Sequence, residues 1–311
     1  MLRARTSPQH FTYQGKKMKL VNYESQGKLQ PGILIDEHVF DTKRLLTAIG
    51  EDAPAQLTNR QLLTQWQGKL AVLEERVVKS ARATPEAAVG QIGKLRLGPP
   101  IHDSSKVLCV GLNYRDHVAE TGRKLPTAPD IFCKFNTSLI GATDDIACTS
   151  LTPNLDFEGE LAVVIGKPCR NVKPEEALDY VAGLTVLNDT SARDLQLRGT
   201  QWTPGKAIDG STPCGPALVT LNEISNPQEL DIQTRVNGKV MQSSNTSYQI
   251  FSVADVVSFI SSFLELSPGD IIATGTPEGI GSKRTPPFWL KAGDVVEVEI
   301  SEVGRLLNVV R

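Results

Sequence analysis

Read for the alternation of apolar and polar positions, the chain from Met18 opens with two extended runs, LVNYES and PGILIDEHVFD, around a turn. The period then changes. In TNRQLLTQWQGKLAVLEERVVKSA, the residues Leu62, Leu63, Trp66, Leu70, Leu73 and Val77 fall on one side of a helix. Gly98, Pro99 and Pro100 in LGPPIHDSSK interrupt any helix or central strand. They mark a boundary between a small N-terminal α+β domain, residues 18–98, and a second domain, residues 99–311. Beyond it the runs KVLCVGLNY, ELAVVIG, GLTVLND, PALVTL and DIIATG predict strands. RVNGKVMQ predicts a hairpin on Asn237-Gly238, a pair suited to the left-handed positions of a type I′ turn. GDVVEVEISEVGRLLNVV predicts a second strand pair. Two helices are expected between them. PEEALDYV starts with Pro174 and two acids. SVADVVSFISSFLEL is capped by Ser252 and directs Val253, Val256, Val257, Ile260, Phe263 and Leu264 to a core. The expected class is α+β and β-rich.

One stretch departs from simple alternation. NLDFEGELAVVIG places Asp156, Glu158 and Glu160 at every second position, which on a strand is one face. The residues that follow, 161–165, are apolar on both faces. DVVEVEIS supplies the contrast: Glu297 and Glu299 alternate with Val296, Val298 and Ile300, the mark of a strand with one solvated side. Neighbouring carboxylates oppose one another's ionisation unless water or a cation compensates. In GLTVLNDTSARDLQ another apolar strand runs into Asp189, followed by Arg193, Asp194 and Gln196. Carboxylates at strand ends are hard ligands, suited to Mg²⁺, Mn²⁺ or Ca²⁺ and not to zinc. The pattern alone divides evenly between such a site and a solvated acidic face.

Composition removes several classes of function. The chain has 311 residues and a net charge of −2, with no basic surplus for nucleic acid and no block of like charge. No apolar run approaches the roughly 18–20 residues needed to cross a bilayer, so no membrane partner is expected. Cys109, Cys133, Cys148, Cys169 and Cys214 form no C-x-x-C pair. They argue against a zinc knuckle or a disulfide framework and are read as small buried hydrophobes in a reducing compartment. Arg3, Arg5, Lys16, Lys17 and Lys19 precede the first acid, Glu24, without the apolar segment of a secretory signal. Residues 1–17 are read as a disordered extension of a cytoplasmic protein, with organelle import as the alternative. TGTPEGIGSKRTPP lacks the G-x-x-x-x-G-K-[ST] pattern, and Pro286-Pro287 rule out the helix a phosphate loop needs. No G-x-S-x-G elbow for a serine nucleophile is present.

Five motifs in order, DFEGELAVVIG, NDTSARDLQ, GKAID, SSNT and GDIIATGTPEGIG, resemble the fumarylacetoacetate hydrolase family, from about Lys106 to Val303. The N-terminal part is similar only in size and style to that family's variable first domain. The resemblance implies a β-rich mixed roll with a distorted barrel, and a homodimer. It implies Mg²⁺, or Mn²⁺ or Ca²⁺, held by Glu158, Glu160 and Asp189, with Asp156 a structural neighbour. It puts Arg193 and Gln196 near metal and substrate, Lys206 as the active-site lysine and Thr276 against substrate. In GLNYRDHVAETG, His117 and Glu120 match the His-Glu pair of the acylpyruvate branch.

The residues themselves carry plainer readings beside these. His117 and Glu120 share a face if RDHVAETG is a helical turn, and can then hydrogen-bond; a lone histidine in a polar turn is ordinarily surface. Lys206 follows Pro204-Gly205, where an exposed lysine is the default. Arg193 and Asp194 would pair on a surface for under about 1 kcal/mol. The expected activity is metal-dependent hydrolysis of a C–C bond in a 2,4-dioxo acid, of acylpyruvate or fumarylpyruvate type, to pyruvate and a carboxylic acid. His117 would act as base and the HVAE segment as a lid. Oxaloacetate decarboxylation or keto–enol exchange is the alternative, and a catalytically silent binding protein the third reading.

Overall fold

The apolar run after Glu160 is buried on both faces because its strand, Gly159–Ile165, lies between two cores. Leu161, Val163 and Ile165 enter one and Ala162 and Val164 the other, as the two-residue period of a strand requires. The computed structural model that shows this describes residues 18–54, 56–67, 69–147 and 150–311. The expected extension 1–17, Cys148 and the side chain of Leu70 lie outside the described set.

The large sheet runs in the order Ala88–Gln91, His38–Asp41, Lys28–Ile35, Lys19–Ser25, Thr212–Thr220, Val181–Asn188, Gly159–Ile165, Ile271–Ala273, Val107–Gly111 and Asp130–Lys134. Neighbours along it are antiparallel except Ile271–Ala273 beside Val107–Gly111. One face packs on a four-stranded antiparallel sheet, Lys239–Asn245, Asp231–Val236, Val295–Ile300 and Gly304–Val309, and on the helix Val253–Phe263. The other face is covered by the helices Thr42–Ala48, Asn59–Gln65 and Leu70–Ala83. The sheet therefore crosses residue 98: Lys19 and Leu20 pair with Val219 and Leu218, and Asn22 with Gly98. The N-terminal helices bury the back of the strands that carry the acids. The fold is α+β and β-rich, as the pattern predicts. Among the described residues no helix is long and apolar enough to cross a membrane.

Several local expectations are met and several are corrected. Asn237 and Gly238 both have positive φ, 51° and 78°, in the predicted hairpin. Ser252 caps its helix reciprocally with Asp255. Glu297 and Glu299 do lie on an outer face, where both accept from Arg235. The single helix expected over 58–81 is two: the first ends at its C-cap Trp66, and Gly68, a poor helix former, follows in the sequence. Pro174–Tyr180 is a 3₁₀ turn rather than an α-helix: only Ala177 is buried, and the chain must enter the strand Val181–Asn188 at once. Phe263, placed in the core by periodicity, is 54% exposed because its helix ends there. Cys109, Cys169 and Cys214 are buried and free, but Cys133 is exposed.

Candidate active site

The register of two antiparallel strands assembles the acids. Gly159 pairs with Asn188 and Glu160 with Leu187, so Glu158 and Asp189 sit at adjoining strand ends. The Asp189 N–H donates to Glu158 O at 2.8 Å, and the Glu158 N–H to Asn188 Oδ1 at 3.0 Å. One oxygen from each of Glu158, Glu160 and Asp189 then lies within 4.8 Å of the others. Asp156 leaves this row. It belongs to a separate pairing of Leu155–Asp156 with Ser191–Ala192, and its carboxylate accepts from the N–H groups of Gly281 and Ser282 and from Arg193 Nε.

Every cation expected at the surface is buried here. Lys206 Nζ donates to Glu158 Oε2 at 2.5 Å and to Asp189 Oδ2 at 2.6 Å. Arg193 donates to Asp156 and Glu158, not to Asp194, which accepts from Thr152. The third Arg193 nitrogen donates to Gln196 Oε1 at 2.9 Å; since guanidinium only donates, this turns the glutamine oxygen inward. A further cation escaped the sequence reading. Lys134, in DIFCKF, has a fully buried side chain that donates to Asp189 Oδ1 at 2.7 Å. A lysine inside an apolar strand was the available signal.

Four carboxylates, Asp156, Glu158, Glu160 and Asp189, thus meet three cations, and among the described residues Glu160 is the one without a cationic partner. It is 2% exposed and, among the described residues, accepts only the Gly275 N–H, at 2.8 Å. Burial, then Asp189 and Glu158, push its carboxyl well above the usual range. For Glu158 burial acts the same way, but Arg193, Lys206 and His117 outweigh it and lower the carboxyl to about 2. Burial opposes the charge of Lys206 and of Arg193, yet their carboxylate partners hold both above their ordinary values. An all-oxygen set with one uncompensated buried carboxylate fits a hard divalent cation.

His117 lies on the helix Arg115–Thr121, where Glu120 is one turn away. His117 Nδ1 is 2.6 Å from Glu120 Oε1, and Glu120 Oε2 accepts the Gly279 N–H at 3.0 Å. An ionised carboxylate only accepts, so in the neutral imidazole Nδ1 carries the proton and Nε2 the lone pair. Asp116 points elsewhere, toward its own helix turn and Ser244. His117, Glu158, Glu160, Arg193, Gln196, Lys206 and Thr276 all line one cavity of about 270 Å³. Asp189 and Glu120 stand behind its wall. The Thr276 hydroxyl is already committed to Gly159 O and Gln242. The cavity wall also includes Phe132, Trp202, Arg123 and Lys283, none of which the sequence singled out.

A family model described as fumarylacetoacetate (FAA) hydrolase C-terminal matches residues 106–311. The chain belongs to the fumarylacetoacetate hydrolase family. The rat protein named oxaloacetate tautomerase Fahd2a, mitochondrial, is 38% identical over 294 residues, which is 94% of this chain and 91% of that protein. The solved fumarylacetoacetate hydrolase of Exiguobacterium antarcticum superposes with a TM-score of 0.78 at 32% identity, covering 94% of this chain and 99% of that one. The maleylpyruvate hydrolase of Sphingobium sp. SYK-6, solved with manganese(II) and pyruvate, gives 0.73 at 26% identity over 94% and 98% of the two chains. Members of the family with these names are enzymes acting on small molecules, so an enzyme is the coarse reading for this chain as well.

Proposed function

We propose that this protein moves a proton at the carbon beside the 2-oxo group of a small 2-oxo acid, and that keto–enol exchange of oxaloacetate is its reaction. The observation that carries the reading is the His117–Glu120 pair at 2.6 Å, which engages Nδ1 and leaves Nε2 as the ring nitrogen free to act as a base, on a cavity shared with Glu158 and Glu160. The name of the rat relative supports the choice of substrate.

A divalent ion on Glu158, Glu160 and Asp189, Mg²⁺ by preference with Mn²⁺ or Ca²⁺ as substitutes, would stabilise negative charge developing on the 2-oxo oxygen. His117 takes the C3 proton and returns it to oxygen or carbon. Glu120 keeps the imidazole in the basic tautomer, and its negative carboxylate offsets the positive charge of the ring while the proton is held. Lys206 and Arg193 keep Glu158 ionised, and Gln196 offers its amide N–H to the substrate. Thr276 closes the wall through its backbone segment. The seven-residue helix that carries His117, ended by Gly122 in the left-handed region, φ 69°, is the segment proposed to cover the cavity, with Glu120 joining it to Gly279. The assembly proposed is a homodimer in the cytoplasm, with mitochondrial import, as in the rat relative's name, the competing address.

Hydrolysis of an acylpyruvate is the second reading. There His117 would take its proton from water, and the C–C bond would break to release pyruvate. The solved maleylpyruvate hydrolase with manganese and pyruvate favours it.

The test is a panel of oxaloacetate enol, acylpyruvates, fumarylpyruvate and keto oxaloacetate, each followed with Mg²⁺ and with chelator. Ketonisation of the enol faster than its buffer rate, lost with chelator, is expected. Chelator-sensitive release of pyruvate from an acylpyruvate without enol turnover would put the hydrolase first. No chelator-sensitive reaction in the panel would end both.

A further inference from the structure

Four lysine and arginine side chains line the cavity, and they divide into two kinds. Arg193 and Lys206 are each held by two protein carboxylates. Arg123 and Lys283 are exposed, and among the described residues neither has a carboxylate partner. The capacity to bind a further anion therefore lies with this outer pair.

Arg123 is not a loose surface charge. Its guanidinium lies 5.9 Å from the Trp202 ring centroid, a cation–π contact. Trp202 is itself held, edge against Phe132 at 5.4 Å. It also packs where Gly111 has no side chain; a Cβ there would stand 2.7 Å from Trp202 Cζ3. Lys206 Nζ sits 5.0 Å over the Phe132 ring. A continuous wall, Lys206–Phe132–Trp202–Arg123, thus leads from the acid cluster to the unpaired guanidinium. Arg123 also follows directly on the helix that carries His117 and Glu120, so base and outer cation come from one short segment.

We infer that Arg123, with Lys283 from the glycine-rich segment, binds the distal carboxylate of the substrate and makes the site selective for 2-oxo dicarboxylates over 2-oxo monocarboxylates. The inference rests on the proposed function for the inner end of the substrate, where the 2-oxo acid group is held. Arg123 and Lys283 are specificity-determining residues; they touch the end of the molecule that does not react.

Oxaloacetate and 2-oxobutanoate share the 2-oxo acid end and differ in a carboxylate against a methyl group. Binding of each, with Mg²⁺, is followed by tryptophan fluorescence, since Trp202 and Trp289 line the cavity. Turnover of each is followed separately as C3–H exchange in deuterium oxide. The wild type should favour oxaloacetate in both. Arg123→Gln should cut the oxaloacetate to 2-oxobutanoate ratio about tenfold, the scale of one charge-assisted hydrogen bond in a half-solvated place. Arg123→Lys should keep part of the ratio, and Lys283→Gln, an independent variant, should lower it as well. A ratio unchanged in Arg123→Gln, or a wild type without preference, overturns the inference while turnover leaves the reaction standing. A binding preference lost in Arg123→Gln, in a protein that exchanges neither acid, overturns the reaction and supports the distal site. Binding of neither acid overturns both.

Discussion

Glu120 holds His117 by one carboxylate oxygen, at 2.6 Å, and the Gly279 N–H by the other, at 3.0 Å. It thereby fixes the imidazole tautomer and ties the helix Arg115–Thr121 to the glycine-rich segment in one contact. His117→Ala should lower kcat for enol ketonisation by about 10²–10⁴-fold, the usual contribution of a positioned base. Glu120→Gln should cost less, about tenfold or more, because the base remains but its tautomer is no longer imposed. Stopped-flow absorbance of the enol measures both. Full activity in His117→Ala would leave the base unassigned.

Among the described residues no cation pairs with the buried Glu160, so its ionised form destabilises the metal-free protein. Mg²⁺ or Mn²⁺ should raise Tm in differential scanning fluorimetry, by the equivalent of about 2.7 kcal/mol at a hundred times Kd. Glu160→Gln should be at least as stable as wild type in chelator and should lose the metal-induced rise. An unchanged rise in the variant would move the cation elsewhere.

Acid stability follows from Glu158, whose carboxyl is lowered from 4.5 to about 2. A folded value below the unfolded one means stabilisation that is complete above about pH 4.5 and lost as pH falls toward 2. Glu160 has the opposite sign: its raised value favours the fold at low pH and is lost as pH rises through it. Stability of the metal-free protein should therefore fall at acid pH, and Glu158→Gln should flatten that limb of the curve. Chemical denaturation across the acid range reads the difference.

Gly205 admits no side chain: a Cβ would lie 2.4 Å from Gln196 N and 2.5 Å from Ala192 O, both backbone-fixed. Gly205→Ala should separate Thr203–Lys206 from Arg193–Gln196, cost about 1–3 kcal/mol as overpacking does, and shift Lys206 from Glu158. Activity should fall more than stability accounts for. Urea unfolding beside kcat tests that contrast.

Lys134→Met removes a fully buried ammonium from Asp189. Breaking a buried pair on one side costs about 3–5 kcal/mol. Lys206 still bonds the other oxygen of Asp189, so the lower end, about 3 kcal/mol, is expected. Equilibrium unfolding in chelator measures it; a change under 1 kcal/mol would mean the pair contributes little.

Local periodicity made part of this protein legible in its residues. The doubly apolar strand behind Glu160, the turn at Asn237-Gly238, the Ser252 cap and the three-residue spacing of His117 and Glu120 each depend on a few neighbours along the chain. Family motifs added the acids at 158, 160 and 189, which the structure brings within 4.8 Å. Tertiary structure decided the rest, because charge and burial depend on partners far away in sequence. Lys134 stands out as a lysine in an apolar strand, but its role appears only when Asp189, 55 residues later, accepts its hydrogen bond. Arg193 has Asp194 beside it, yet bonds Asp156 and Glu158 instead. Asp156 leaves the carboxylate row because the backbone changes sheet between Asp156 and Gly159. The helices before residue 98 cover the back of the strands bearing the acids, a dependence that no window of sequence contains.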